Sequence, residues 1–208
     1  MRRNLQRYSK FNITGFFKTR KGKFGDNWIF FESYLEYDHL NMFEYNPAVK
    51  LLESQPVSIN YMWRGRKHFY TADVGTINIS KTSSSVEYKE IKPSSALEDD
   101  KESDRFEKIK SVYAQAGYPF EVITEKDLLP EQSLNNLEIL NKSLGGLDGD
   151  SPLIDDALTV LSHKITLGES LQVFDALSLD TRALSYLLYN QLYQFDLKEP
   201  LNTNTLLT

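Results

Sequence analysis

The sequence contains no cysteine among its 208 residues. This absence excludes disulfide bonds, thiolate zinc sites and thiol nucleophiles, and it fits a protein of the reducing cytoplasm. A metal ion held by this chain therefore needs carboxylates, backbone carbonyls or the three histidines as ligands.

Long apolar runs are also absent. A helix that spans a bilayer needs roughly 20 apolar residues, whereas the longest apolar runs here are only a few residues long. The opening MRRNLQRYSK has no apolar signal region behind its charges. We therefore expect a globular cytoplasmic protein without membrane contact, and its hydrophobic fraction of 40% is sufficient for packed cores.

The net charge of −5 is distributed very unevenly. Residues 1–30 carry eight basic side chains and one acid, Asp26, with aromatic residues between them. We interpret residues 1–27 as a basic arm that binds DNA phosphates, because each neutralised phosphate releases counterions. A solvated N-terminal segment explains the same pattern equally well. The basic residues are Arg2, Arg3, Arg7, Lys10, Lys18, Arg20, Lys21 and Lys23.

Hydrophobic periodicity predicts a helix over residues 28–44, ended by Asn46 and Pro47. Three strand-like stretches follow, then a helix with an acidic start, and then a short buried strand. Their predicted ranges are 49–62, 67–79, 86–91, 94–117 and 119–124. A helix between two strands makes a crossover. We therefore predict an α/β domain over residues 28–144, with a mixed sheet flanked by helices.

The clearest linker is the glycine-rich and acidic stretch at residues 145–152. Beyond it, residues 153–161, 168–177 and 181–192 have helical patterns, and residues 195–197 and 203–207 could pair as a wing. We therefore predict a small winged-helix-like C-terminal domain over residues 153–208. From residue 147 onward nine acids outnumber three bases, which favours protein docking over DNA binding.

The sharpest chemical pattern is Asp73 followed by Glu90 and Lys92. Residues i and i+2 of a strand share a face, so Glu90 and Lys92 point the same way, and an adjacent strand could bring Asp73 beside them. Two carboxylates with an ammonium group suit Mg²⁺-dependent phosphodiester hydrolysis. Taken alone, the same pattern is more often a solvated sheet face. Lys89 lies on the opposite face, where we expect it to be solvated.

An ordered series of short motifs surrounds this pattern over about residues 28–125. They are Ser33 with Glu36 on the first helix, Asn46-Pro47 with Val49, Gln55-Pro56, Tyr70 to Asp73, Glu90 to Pro93, and Gly117 to Thr124. In this order and spacing they resemble the TnsA endonuclease subunit of heteromeric bacterial transposases, which has a restriction-endonuclease-like fold. The resemblance implies that fold here.

The resemblance also implies roles for individual residues. Glu36, Asp73 and Lys92 match the catalytic positions, and Glu36, Asp73 and Glu90 match the metal site for Mg²⁺, with Mn²⁺ as a substitute. Glu90 occupies a position that is glutamine in some members. Members cut the 5′ strands at transposon ends in double-stranded DNA, while a TnsB-like transposase cuts and joins the 3′ ends. The C-terminal domain is implied to contact a TnsC-like AAA+ regulator.

Two other functions remain open from the sequence. One is a restriction or repair endonuclease of the same fold, and the other is an assembly module of transposition that has lost catalysis. The first would act without a transposase, and the second would cut no DNA. Whether an RNA-guided complex or proteins choose the target is equally open.

Overall fold

A computed structural model describes residues 13–22, 27–79, 84–144, 147 and 151–208. The chain divides into two compact units, which meet in sequence between Leu128 and Leu129. None of the helices in these described ranges is both long and apolar enough to cross a membrane.

The first unit is built around a four-stranded mixed sheet with the order β3-β6-β7-β8. β3, β6 and β7 are antiparallel neighbours, and β8 runs parallel to β7 after the crossover helix α2. This mixed sheet flanked by helices is compatible with the predicted restriction-endonuclease-like fold. The elements are β1 (Gly15–Lys18), β2 (Trp28–Phe31), α1 (Tyr34–Tyr45), β3 (Val49–Ser54), β4 (Ser58–Trp63), β5 (Arg66–Thr71), β6 (Val74–Ile79), β7 (Ser84–Ile91), α2 (Asp100–Gln115) and β8 (Phe120–Ile123).

Helix α2 covers the core of this unit with one apolar face. Its buried residues Phe106, Ile109 and Tyr113 follow helical spacing, and Asp99 caps the helix by accepting hydrogen bonds from two backbone amides of its first turn. The Tyr113 ring stacks on Phe120 of β8 at 4.7 Å between centroids. The same core includes the inward side chains of the β4–β5 hairpin, so α2 packs against both that hairpin and the sheet.

The predicted helix over residues 28–44 is wrong in its first six residues. Trp28–Phe31 forms β2, which pairs antiparallel with β1 and alternates between exposed and buried side chains. Helix α1 begins at Tyr34, after the N-cap Ser33. Part of the predicted basic arm is therefore a strand, and its buried Phe17 packs, together with Phe31 of β2, on the Tyr37 ring of α1.

The second unit consists of helices around α6 and a short two-stranded sheet. Its elements are α3 (Glu131–Ser143), α4 (Pro152–Val160), β9 (Ile165–Thr166), α5 (Leu167–Ala176), α6 (Thr181–Tyr189) and β10 (Leu206–Leu207). We predicted residues 131–144 in the nuclease domain, but α3 lies in the second unit because it packs on α6. The Asn136 amide group also donates hydrogen bonds to the carbonyls of Leu197 and Glu199 at 2.9 and 2.8 Å.

The predicted pairing of residues 195–197 with residues 203–207 is wrong. β10 instead pairs antiparallel with β9, which directly precedes α5. Gln194 and Thr208 extend the contact by exchanging two backbone hydrogen bonds, at 2.8 and 2.9 Å. Residues 195–197 contain no strand. The first strand of the pair is instead β9, which lies before the second of the three predicted helices.

Candidate active site

The register of the central sheet brings Asp73 opposite Glu90. Val74 pairs with Lys89 in the antiparallel β6–β7 ladder, and the next step outward joins Asp73 to Glu90. The Ile91 backbone amide donates a hydrogen bond to Asp73 Oδ2 at 2.9 Å. The predicted placement of Asp73 alongside Glu90 is therefore confirmed.

Lys92 lies between these two carboxylates. Its Nζ is 2.6 Å from Glu90 Oε1 and 3.7 Å from Asp73 Oδ2. The Glu90 side chain is only 4% exposed, whereas those of Asp73 and Lys92 are 27% and 35% exposed. The cluster is thus buried on the Glu90 side and open to solvent on the other, where a substrate phosphate could approach.

The charges in this cluster strongly influence one another. Burial raises the pKa of Glu90, and repulsion from Asp73 raises it further, while Lys92 opposes both effects only in part. Burial lowers the pKa of Lys92, but attraction to Glu90 and Asp73 outweighs it, so the net pKa of the ammonium group is raised. Lys92 therefore stays protonated and offsets one of the two negative charges of the carboxylate pair.

Glu90 also has one oxygen without a hydrogen bond. Glu90 Oε2 and the hydroxyl of the buried Tyr70 both lack a hydrogen-bond partner of normal geometry. The two groups still influence each other electrostatically, because the neighbouring Glu90 adds to burial in raising the pKa of Tyr70. Glu90 Oε2 is thus a buried oxygen whose hydrogen-bonding capacity is not fully used, and a ligand would reach it only if the side chain moved.

Glu36 lies in the first turn of α1 and exchanges two hydrogen bonds with the N-cap residue Ser33. Ser33 Oγ accepts a hydrogen bond from the Glu36 amide at 3.1 Å and donates one to Glu36 Oε1 at 2.8 Å. The Glu32 backbone amide donates to Glu36 Oε2 at 2.9 Å. Burial raises the pKa of Glu36, with a smaller repulsive contribution from Asp73, so the side chain is within electrostatic reach of the cluster.

The oxygen atoms of this cluster suit a divalent cation in part. Within the described part of the chain, no three or more His, Cys, Asp or Glu side chains are grouped as a ready metal site. Mg²⁺ is typically bound through one or two carboxylates and keeps several waters, so the carboxylates of Asp73 and Glu90 fit this ion. Glu36 would first have to give up hydrogen bonds of its cap.

The comparison with protein families agrees with this geometry. Residues 46–125 match the family of TnsA-like endonuclease N-terminal domains. The match covers 80 of the 208 residues and shows that this segment is similar to TnsA-like endonucleases. The matched residues include Asp73, Glu90 and Lys92, whereas Glu36 precedes them. The match suggests a nuclease subunit of a transposase. No curated protein matches the chain.

The basic residues predicted to bind DNA fall into three groups. Arg2, Arg3, Arg7, Lys10 and Lys23 lie outside the described residues. Lys18 is exposed at the end of β1.

Arg20 and Lys21 have partners at the C-terminal end of α1. Arg20 Nη2 is 3.3 Å from Glu44 Oε1. Lys21 Nζ donates to the carbonyls of Phe43 and Asn46 at 2.9 and 2.8 Å, and burial lowers its pKa to about 8. Arg20 and Lys21 therefore contact the C-terminal end of α1, where positive charge is favourable, although burial opposes the charge of Lys21.

Several residues that position the site were not assigned a role from the sequence. The Tyr113 hydroxyl accepts from the Ala72 amide at 3.2 Å and donates to the Val57 carbonyl at 3.0 Å, which holds the backbone just before Asp73. The Gln55 amide donates to the Asp73 carbonyl at 3.0 Å. The sequence indicated Gln55 and Pro56 only as members of the ordered series of short motifs over about residues 28–125.

The expectation that Lys89 is solvated is wrong. Its side chain is buried, with Nζ bonded to Glu87 at 3.0 Å and to Glu121 of the parallel strand β8. The ammonium group also lies 5.9 Å from the centre of the Phe43 ring. The face opposite the candidate active site is therefore covered, and Lys89 is a structural residue there.

Proposed function

We propose that this chain is the Mg²⁺-dependent endonuclease subunit of a heteromeric transposase, which cuts the 5′, non-transferred strands at transposon ends. The observation that carries the proposal is the grouping of Asp73, Glu90 and Lys92 at one end of the sheet, inside a TnsA-like endonuclease domain. The chemistry of the group supports hydrolysis, because its carboxylates suit a hard cation and its ammonium suits a phosphate.

In this proposal Asp73 and Glu90 hold Mg²⁺, or Mn²⁺ in its place, and Glu36 joins them by releasing part of its cap. The bound ion supplies Lewis acidity toward the phosphate and lowers the pKa of water. Lys92 orients the attacking water and offsets the charge that develops on the phosphate oxygens. The water oxygen forms a bond to phosphorus, one ester P–O bond breaks, and the leaving oxygen collects a proton.

The second unit is proposed to dock on proteins, as a winged-helix-like module. From residue 147 onward nine acids outnumber three bases, so this part of the chain is poorly suited to phosphate contact. We assign it the contact with a TnsC-like AAA+ regulator, and we assign to the whole chain a contact with a TnsB-like transposase. Pull-down of residues 129–208 with each partner, beside the full chain, tests this division.

A reconstituted cutting assay tests the proposal and separates it from its two rivals. Transposon-end duplexes labelled on either strand are incubated with the wild-type chain and Mg²⁺, with and without the partner transposase. We expect 5′-strand cleavage that depends on the transposase. Cleavage independent of the transposase would favour a restriction or repair enzyme, and no cleavage with all partners present would favour a silent assembly module.

A further inference from the structure

The β4–β5 hairpin, residues 58–71, has a turn that is unusual for its residue types. The two turn residues, Arg64 and Gly65, have φ angles of 47° and 75°, which is the pattern of a two-residue hairpin turn with both residues left-handed. Asparagine or aspartate before glycine favours this conformation, whereas a long side chain such as arginine adopts it rarely. The arginine is therefore not explained by the turn itself.

The two faces of this hairpin differ sharply. The inner face packs on α2 through Ile59, Tyr61 and Tyr70. The outer face exposes Met62 and Phe69, which are 57% and 69% accessible to solvent. Large apolar side chains this exposed on one small ribbon indicate a binding surface.

The charge of the hairpin is of one sign. Arg64, Arg66 and Lys67 are all exposed at or beside the turn, and the sequence from residue 54 to residue 72 contains no aspartate or glutamate. The Arg64 guanidinium lies 5.5 Å from the centre of the Trp63 ring. Exposed cations beside apolar side chains, without any acid, complement a phosphate backbone better than they complement an ordinary protein surface.

The hairpin also leads directly into the candidate active site. β5 ends at Thr71, two residues before Asp73, so the chain runs from the basic turn to the catalytic aspartate without a loop. The seven residues that lead from the basic turn to Asp73 span about 20 Å when extended, which equals the length of roughly six base pairs of duplex. A two-stranded ribbon of this kind fits the major groove of B-form DNA.

We propose that this hairpin binds the DNA duplex beside the cleavage point, with its three cations on phosphates and Phe69 against sugars and base edges. The proposal rests on the proposed nuclease function, because it assigns the occupant from the substrate of that site. Through the short connection to Asp73, the contact positions the scissile phosphate at the carboxylates.

The test measures binding of the full chain to a fluorescein-labelled duplex about thirty base pairs long, without divalent ions so that no cutting occurs. The first variant is Arg64→Asn, which favours the observed turn. The second adds Arg66→Thr and Lys67→Thr, which suit a strand. The matched control removes three cations from α2 by Lys101→Ala, Lys108→Ala and Lys110→Ala.

We expect the triple hairpin variant to lower the slope of log affinity against log salt by about two to three, since each phosphate contact contributes roughly 0.9. The α2 control should keep the wild-type slope. Arg64→Asn should melt at the wild-type temperature or above and still bind more weakly, which excludes misfolding as the cause.

Wild-type affinity and slope in the triple hairpin variant would overturn the proposal, and so would normal DNA binding combined with loss of the transposase complex. These failures are distinct from failure of the nuclease assignment. If the hairpin variants lose DNA binding while Asp73→Ala still cuts, the proposed role of the hairpin is supported and the assigned catalytic site is refuted. If the hairpin variants bind DNA normally while Asp73→Ala is inactive, the proposed role of the hairpin is refuted and the assigned catalytic site is supported.

Discussion

Replacing Lys92 by methionine removes the cation that lies between Glu90 and Asp73. Loss of one partner from a buried ion pair costs about 3–5 kcal/mol, because the remaining charge stays buried without compensation. The Lys92 and Asp73 side chains are 35% and 27% exposed, so water screens part of this interaction. We therefore expect Lys92→Met to lower the free energy of unfolding by about 2 kcal/mol at neutral pH.

The pH dependence of this loss follows from Glu90. Burial and Asp73 already raise its pKa above the ordinary 4.5, and removal of Lys92 should raise it further. An acid with a raised pKa in the folded state is protonated in both states at low pH, so the loss should be small below pH 4.5. It should grow as the pH rises past the folded-state pKa of Glu90 in the wild type and be complete above the higher folded-state pKa of Glu90 in the variant.

Urea unfolding followed by tryptophan fluorescence measures this loss, because Trp28 and Trp63 both lie in the first unit. The control is Lys110→Met, which removes an exposed cation from α2 and should stay within about 0.5 kcal/mol of wild type. Equal stability of Lys92→Met and wild type at neutral pH would refute the claim that Lys92 compensates the carboxylate pair.

Three further predictions concern the support of the site. Glu36→Gln can still accept the hydrogen bond from Ser33 Oγ and should leave stability nearly unchanged. Glu36→Ala should lose about 1 kcal/mol in urea unfolding, and both variants should lose cleavage if the charge holds metal. Burial lowers the pKa of His39 to about 4. About 3 kcal/mol of the free energy of unfolding, present above pH 6.5, should therefore be lost as the pH falls to 4. His39→Gln should remove this loss in acid titrations. Tyr113→Phe leaves a buried amide before Asp73 unpaired, which should cost about 1–3 kcal/mol and reduce kcat more than it raises KM.

The chemical cluster was predictable because it follows from short-range rules. The strand alternation of Glu90 and Lys92, together with a neighbouring strand that carries Asp73, was sufficient to place the three side chains at one point. The order of the strands and the crossover helix could be predicted from the sequence for the same reason. The roles of these residues in catalysis remain predictions.

Long-range contacts account for what the sequence could not predict. The partners of Asn136 are the carbonyls of Leu197 and Glu199, which lie more than sixty residues away, so no local pattern assigns α3 to the second unit. Lys89 is buried only because Glu121 of β8 and the Phe43 ring of α1 cover it. The position of Ser33 and Glu36 did carry a local signal, since serine followed three residues later by glutamate marks a helix start, and this pair begins α1 at Tyr34.

The assignment of a nuclease centre at Asp73 is tested most directly by single-turnover cleavage of a transposon-end duplex labelled on its 5′ strand. The wild-type chain and Asp73→Ala are compared in the presence of Mg²⁺ and the partner transposase, with complex formation monitored in parallel. We predict that Asp73→Ala forms the complex normally and loses at least about a hundredfold in cleavage rate. Cleavage by Asp73→Ala at the wild-type rate would contradict the account.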